Sequence, residues 1–158
     1  MQACDLLPLV PKYCSEVLDA MFFATVSGWE TLAHLPADKI EAKPSLNFNL
    51  HFTGDVSGHF VVSLESSTAG NLAANFLGED PTALSPQEVD EVVGELANML
   101  CGSVMSQVEG EHKFVLSHPG PVGDQSSLST DDALICVLET DAGAITVCIA
   151  LEGEPCPL

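Results

Sequence analysis

The residues of this chain best arranged to do chemistry lie in the segment Glu91-Val-Val-Gly-Glu95-Leu-Ala-Asn98-Met-Leu-Cys-Gly102. At about 100° per residue, a helix places Glu91, Glu95, Asn98 and Gly102 on one narrow stripe. Val89, Val92, Val93, Leu96, Leu100 and Val104 fall on the other side as an apolar band. The stripe therefore aims a carboxylate and, one turn on, a carboxamide away from the core. The carboxylate brings charge, whereas the carboxamide donates and accepts hydrogen bonds without bringing any. Asn is a mediocre helix former, and Gly costs about 1 kcal/mol relative to Ala. Both on one solvent-facing stripe point to a surface that something must approach.

That helix has the clearest start in the sequence. Ser85-Pro86-Gln87-Glu88 combines an N-cap Ser, a Pro at the first helical position and a Glu at the third. It is expected to run to about residue 109, with Gly110 as its stop. A first helix is expected over residues 11–24, burying Val10, Cys14, Val17, Leu18 and Met21. An irregular connection through Gly28, Pro36 and Pro44 follows. Strict alternation then puts Leu46, Phe48, Leu50 and Phe52 on one face of a strand over 45–52, which turns at 54–58 into a second strand over 59–64. Ser66 or Ser67 is positioned to cap a short helix ending at Gly78. Beyond the long helix come a strand over 112–117, a rigid turn at Pro119-Gly-Pro121 and a polar loop over 124–132. A hairpin of 133–140 and 144–151 surrounds Asp141-Ala142-Gly143, and the tail from 152 reads as frayed.

The two halves rhyme, each supplying a helix followed by an antiparallel hairpin. In the same frame, Ser15, Asp19 and Phe22 stand where Glu91, Glu95 and Asn98 stand. The fold class is therefore α+β: pseudo-two-fold halves forming a largely antiparallel sheet, with two long helices packed on it.

With 158 residues the chain reads as one domain, 1–158, with its core at about 11–151. An apolar content of 46% argues against global disorder. No apolar run approaches the ~20 residues needed to span a bilayer. The start, Met1-Gln-Ala-Cys-Asp5, lacks the basic region of a signal peptide, so a cytoplasmic location is expected. Acidic residues number 23 against 4 basic ones (Lys12, Lys39, Lys43, Lys113), giving a formal charge of −19 with no Arg. Such a surface repels nucleic acid and anionic lipid, and it lacks the cationic clamps that free phosphate substrates want. It suits a partner with Lys or Arg on its docking face, and it also serves solubility. The six cysteines (Cys4, Cys14, Cys101, Cys136, Cys148, Cys156) have no short paired spacing and read as free thiols, several in the core. The five histidines (His34, His51, His59, His112, His118) show no helical metal-ligand spacing. His51 and His59 bracket the first hairpin and read as satisfied strand histidines, so no metal site is expected.

The segment Glu95-Leu-Ala-Asn98-Met-Leu-Cys-Gly102 resembles the signature helix of the CheC/CheX/FliY family, bacterial chemotaxis phosphatases that act on phosphorylated CheY, and is most similar to CheX-like members. That signature has Asp or Ser, three residues, Glu, two residues, Asn, then twenty-two residues and Pro. Glu95 and Asn98 match it, and counting on from Asn98 reaches Pro121. The stretches Glu16-Val-Leu-Asp19-Ala-Met21-Phe22-Phe23 and Leu77-Gly78-Glu79 also look CheX-like, so the resemblance spans about 11–151. It departs from the pattern at Glu91, which stands where Asp or Ser is expected.

The resemblance implies a CheC-like fold and a protein-aspartyl-phosphate phosphatase acting on a CheY-like receiver. Glu95 and Asn98 would be its catalytic pair: Asn98 orienting the attacking water, Glu95 pairing with a receiver Lys. Glu91, Gly102 and Pro121 would belong to the partner-binding surface, Gly102 by leaving room and Pro121 by shaping its loop. No cofactor of its own is implied, since the receiver supplies Mg²⁺. A homodimer is implied as well. The first helix carries a degenerate copy, with Asp19 for Glu and Phe22 for Asn, so one working site per chain is expected and Phe22 is expected to pack. The competing readings are a non-catalytic receiver-binding or regulatory module of this fold, and a structural part of a flagellar or signalling assembly.

Overall fold

Ser85 starts the longest helix as its sequence dictates. Its hydroxyl accepts from the Glu88 amide at 3.2 Å, and the Glu88 carboxylate accepts from the Ser85 amide at 3.2 Å. Two orphan amides of the first turn are thereby satisfied by each other's residue. Ser85→Ala is expected to cost about 1 kcal/mol of stability, read as a lower urea midpoint with unchanged slope.

The computed structural model describes residues 3–6, 8–32, 45–55, 57–108, 114–116, 120–121 and 134–152. In chain order these form α1 (Ala3–Leu6), α2 (Leu9–Phe22), β1 (Val26–Leu32), β2 (Ser45–Gly54), β3 (Gly58–Glu65), α3 (Ser66–Leu77), α4 (Pro86–Met105), β4 (Phe114–Leu116), β5 (Gly120–Pro121), β6 (Leu134–Thr140) and β7 (Gly143–Leu151). The strands make one antiparallel sheet in the order β1-β6-β7-β3-β2-β4, with β5 also paired to β2. Exchanging β1 with β4, β2 with β6 and β3 with β7 reverses this order onto itself. The rhyme in the sequence is thus a pseudo-two-fold in the sheet. Each half's short strand crosses to the other half's hairpin: β1 pairs with β6 and β4 with β2. Among the described residues, no helix is long and apolar enough to cross a membrane.

Alternation along the strands sorts the core onto two faces. Phe48, Leu50, Phe52, Phe60, Val62, Leu138, Ile145 and Val147 are buried together with the inner faces of α2, α3 and α4. On the other face Val61, Ile135, Val137 and Cys148 form a second buried cluster. The β6–β7 hairpin is therefore apolar on both faces because both are covered within a single chain, and its burial does not require a second copy. The buried polar pair on that second face is satisfied, the Ser63 hydroxyl donating to the Asn47 side-chain oxygen at 2.5 Å.

Several expectations need correction. Helix α2 buries Val10, Cys14, Leu18 and Phe22, whereas Met21 is 44% exposed. Spacing by fours carries the buried stripe onto Phe22, whose ring stacks on Phe76 at 5.0 Å. The connection after α2 is partly strand. Edge strand β1 exposes Trp29 and shifts register between Val26 and Gly28, which hides its alternation. Neither Ser66 nor Ser67 caps α3. The chain passes directly from β3 into the helix, leaving extended Glu65 at the N-cap, where its side chain makes no capping bond. Its C-terminal Gly78 does take the left-handed conformation, with φ 69°. Helix α4 ends at Met105 with Ser106 as its C-cap, short of residue 109. Pro121 belongs to strand β5, opposite Phe48, and not to a turn. An edge position suits a residue without an amide hydrogen. Pro36, Pro44, Pro119, Gly110, the 124–132 loop, His34, His112, His118, Cys156 and the tail after Glu152 lie outside the described residues.

Candidate functional site

The stripe is carried on α4, which packs against α2, α3 and strands β2 and β3. Its inner face is held by Val92, Val93, Leu96, Ala97, Leu100, Cys101 and Val104, all buried. Glu91, Glu95 and Asn98 are exposed and Gly102 is half-exposed. Helical rise separates Glu91 from Gly102 by about 16 Å, and the Cβ atoms of Glu95 and Asn98 by about 5–6 Å. The functional groups thus stand on a rigid rod whose back is locked into the core.

This two-faced helix makes a sharp contrast testable at adjacent positions. Leu96→Ala is expected to lower stability by about 3 kcal/mol, because a fully buried side chain is deleted. Glu95→Ala, one residue away and exposed, should stay within about 0.5 kcal/mol of the parent chain. Chemical denaturation of the two variants side by side reads the difference.

Within the stripe the residues differ in how they are engaged. The Gln87 amide donates to Glu91 at 3.2 Å, so that carboxylate is tethered one turn back along the helix. Among the described residues, no hydrogen bond or ion pair engages the side chain of Glu95 or Asn98. Both therefore present their full hydrogen-bonding capacity outward. A Cβ built at Gly102 would meet nothing within 4 Å. The fold itself does not demand glycine there, although glycine weakens the helix. What Gly102 provides is low relief beside Asn98.

The corresponding stripe on α2 is broken. Asp19 is exposed, and the Ser15 hydroxyl is turned onto the Lys12 carbonyl at 2.9 Å. Phe22, in the place of Asn98, is wholly buried against Phe76, in keeping with the packing role expected of it. Among the described residues, α4 alone carries the complete carboxylate–carboxamide pair. Pro121 is not on the stripe; its backbone joins β2, one of the strands beneath α4.

One grouping escapes sequence reasoning. The His51, His59 and Glu152 side chains converge at one end of the sheet, whereas the sequence suggests merely satisfied histidines and a Glu152 in a frayed tail. The placement of the two histidines on either side of the 54–58 turn is the local signal. Glu152 joins them through the β3–β7 pairing, which sequence spacing does not reveal.

Comparison with known proteins places this geometry. The sequence model described as chemotaxis phosphatase CheX matches residues 48–137, a span that contains Glu91, Glu95, Asn98, Gly102 and Pro121. No curated protein matches the chain. Among solved structures it resembles the Borrelia burgdorferi CheX-CheY-BeF3-Mg complex, with TM-score 0.74 and 19% identity over 94% of this chain and 99% of that one. It also resembles CheX from Desulfovibrio desulfuricans, with TM-score 0.70 and 19% identity over 94% of this chain and 99% of that one. Thermotoga maritima FliY follows at TM-score 0.60 and 16% identity, over 87% of this chain and 82% of that one. At these identities the structural likeness speaks for the fold. The sequence match, covering more than half of the 158 residues and the whole stripe, speaks for descent: the chain belongs to the chemotaxis phosphatase CheX family.

Proposed function

We propose that this chain accelerates hydrolysis of the aspartyl phosphate on a CheY-like receiver domain. The observation that carries the reading is the exposed, unengaged Glu95 and Asn98 pair on a core-locked helix, beside the low relief of Gly102. In the reaction a water attacks phosphorus in line, the bond from phosphorus to the aspartyl oxygen breaks, and carboxylate and inorganic phosphate leave. The receiver supplies both the acyl phosphate and its Mg²⁺, so the helper has little covalent chemistry to perform. Its task is to place the water and leave the metal undisturbed.

Asn98 suits that task. Its carboxamide oxygen can accept from the water and its NH₂ can donate toward phosphoryl oxygens, without adding negative charge beside them. Glu95 pairs with a Lys of the receiver and sets the register of α4 in the receiver's cleft. Gly102 lets the helix approach closely, and Glu91 lends charge at the rim. In the Borrelia relative CheX is held in a complex with CheY, which supports a receiver as the partner class. A formal charge of −19 favours encounter with a basic docking face in the cytoplasm.

A module of the same fold could also hold a receiver without hydrolysing its phosphate. Incubating phosphorylated receiver with substoichiometric chain separates the two. Accelerated loss of phosphate supports the phosphatase, whereas tight binding with unchanged decay leaves only the binding module.

A further inference from the structure

We propose that His51, His59 and Glu152 form a binding site for a zinc-class divalent cation, on the sheet face opposite α4 and independent of the receiver-directed stripe. His51 and His59 lie directly across the β2–β3 hairpin from each other, and their rings stack with centroids 4.6 Å apart at 20°. Stacking in this sense brings both Nε2 atoms to the same end. One oxygen of Glu152 lies 3.2 Å from Nε2 of His51 and 4.0 Å from Nε2 of His59. All three ligand atoms fall within 4.8 Å of one another. Tetrahedral zinc, with bonds of about 2.0–2.1 Å to N and O, asks for ligand atoms about 3.3 Å apart. One separation already matches. Side-chain rotation closes the rest, the three side chains being 39–57% exposed.

Two features go beyond a chance meeting of surface groups. Asn49 sits behind His59, with its side-chain oxygen 3.2 Å from Nδ1. The Asn49 oxygen can only accept, so it suits the tautomer with a hydrogen on Nδ1, which would leave Nε2, the nitrogen nearer Glu152, as the atom to ligate a metal. Metal-binding histidines are commonly held by such a second hydrogen bond. The backbone beneath the cluster is also constrained. The Glu152 amide donates to the Ser57 carbonyl at 2.8 Å, and Leu151 pairs with Gly58. A Cβ at Gly58 would collide with the Ala150 carbonyl and lie 2.8 Å from the Phe52 ring, so only glycine lets β3 and β7 approach this closely. The end of β7 is thereby held against the hairpin that bears both histidines.

Two imidazoles and one carboxylate make an N₂O donor set suited to zinc and its neighbours, and poor for Mg²⁺ or Ca²⁺, which want oxygen. Three protein ligands leave a fourth position for water or a group from a partner. The buried thiols of Cys14, Cys101, Cys136 and Cys148 are not competitors, because burial keeps them protonated.

The test is titration of the reduced full-length chain with Zn²⁺ against a chromophoric chelator, with Mg²⁺ as control. One equivalent per chain is expected, accompanied by a rise in thermal midpoint that Mg²⁺ does not produce. His51→Ala and His59→Ala should each weaken binding about 100-fold, and Asn49→Ala about 10-fold. With Co²⁺ in place of zinc, the spectrum should show tetrahedral ligand-field bands without thiolate charge transfer. Absence of saturable zinc uptake, undiminished uptake by the two histidine variants, or a thiolate-to-cobalt band would each overturn the site.

Discussion

Replacing Asn98 by alanine is expected to slow dephosphorylation of the bound receiver by about 100-fold or more, with little change in folding or in receiver affinity. The size follows from what is lost. A misplaced or unheld nucleophile costs about 100-fold even when every other group is intact, and loss of one positioned hydrogen-bonding group costs about 100- to 1,000-fold. The selectivity follows from geometry: Asn98 is exposed and unengaged by the described residues, so its removal leaves neither a cavity nor an orphaned partner. Glu95→Ala should behave differently. Losing the pairing proposed for it with a receiver Lys should raise the concentration of chain needed for half-maximal rate more than it lowers the rate at saturation. Single-turnover decay at several variant concentrations separates the two effects. Asn98→Asp is a stringent companion, since it keeps the shape but sets a negative charge beside the phosphoryl group.

Stability is expected to fall steeply in alkali, by about 5 kcal/mol between pH 8 and pH 10. Cys14, Cys101, Cys136 and Cys148 are free and buried, with exposures of 0%, 0%, 2% and 3%. Burial pushes the Cys101 thiol from 9.0 up to about 12, and those of Cys136 and Cys148 up to about 11. Cys14 rises further still, first through burial and then through its neighbours Cys136 and Cys101. Unfolded thiols lose their protons near pH 9, while the folded ones keep theirs to higher pH. Above pH 9 the unfolded chain therefore binds fewer protons, and each thiol removes about 1.4 kcal/mol of stability per pH unit until its folded value is reached. Well below pH 9 both states are protonated and the thiols contribute no slope. Urea midpoints measured in reducing buffer across pH 7–11 read this out. Cys101→Ala should flatten the alkaline limb even though it lowers stability at pH 7.

What could be read from the sequence was what local chemistry decides. The reciprocal cap of Ser85 and Glu88 needs only four residues and set where α4 begins, and the apolar band from Val92 to Val104 set the side on which Glu95 and Asn98 emerge. Alternation from Leu46 to Phe52 gave the inner face of β2 for the same reason. Failures came where a distant partner decides. Strand β1 has a bulge and an exposed Trp29, and it is a strand because β6 lies beside it. Pro121 is extended because β2 offers an edge. Phe22 displaced Met21 from the buried stripe because Phe76 on another helix receives its ring. Glu152 lies 101 positions from His51 in the chain, and the order of strands in the sheet, not any local spacing, brings the two together.

The measurement that bears most directly on the role of α4 is the decay of a phosphorylated CheY-like receiver, followed with a small fraction of one chain per receiver and again with Asn98→Ala at the same ratio. The parent chain is predicted to clear the phosphate many times faster than the receiver does alone, and the variant to leave it at the receiver's own rate. Equal acceleration by parent and variant would contradict the role given to Asn98, and with it the assignment of α4 as the catalytic face.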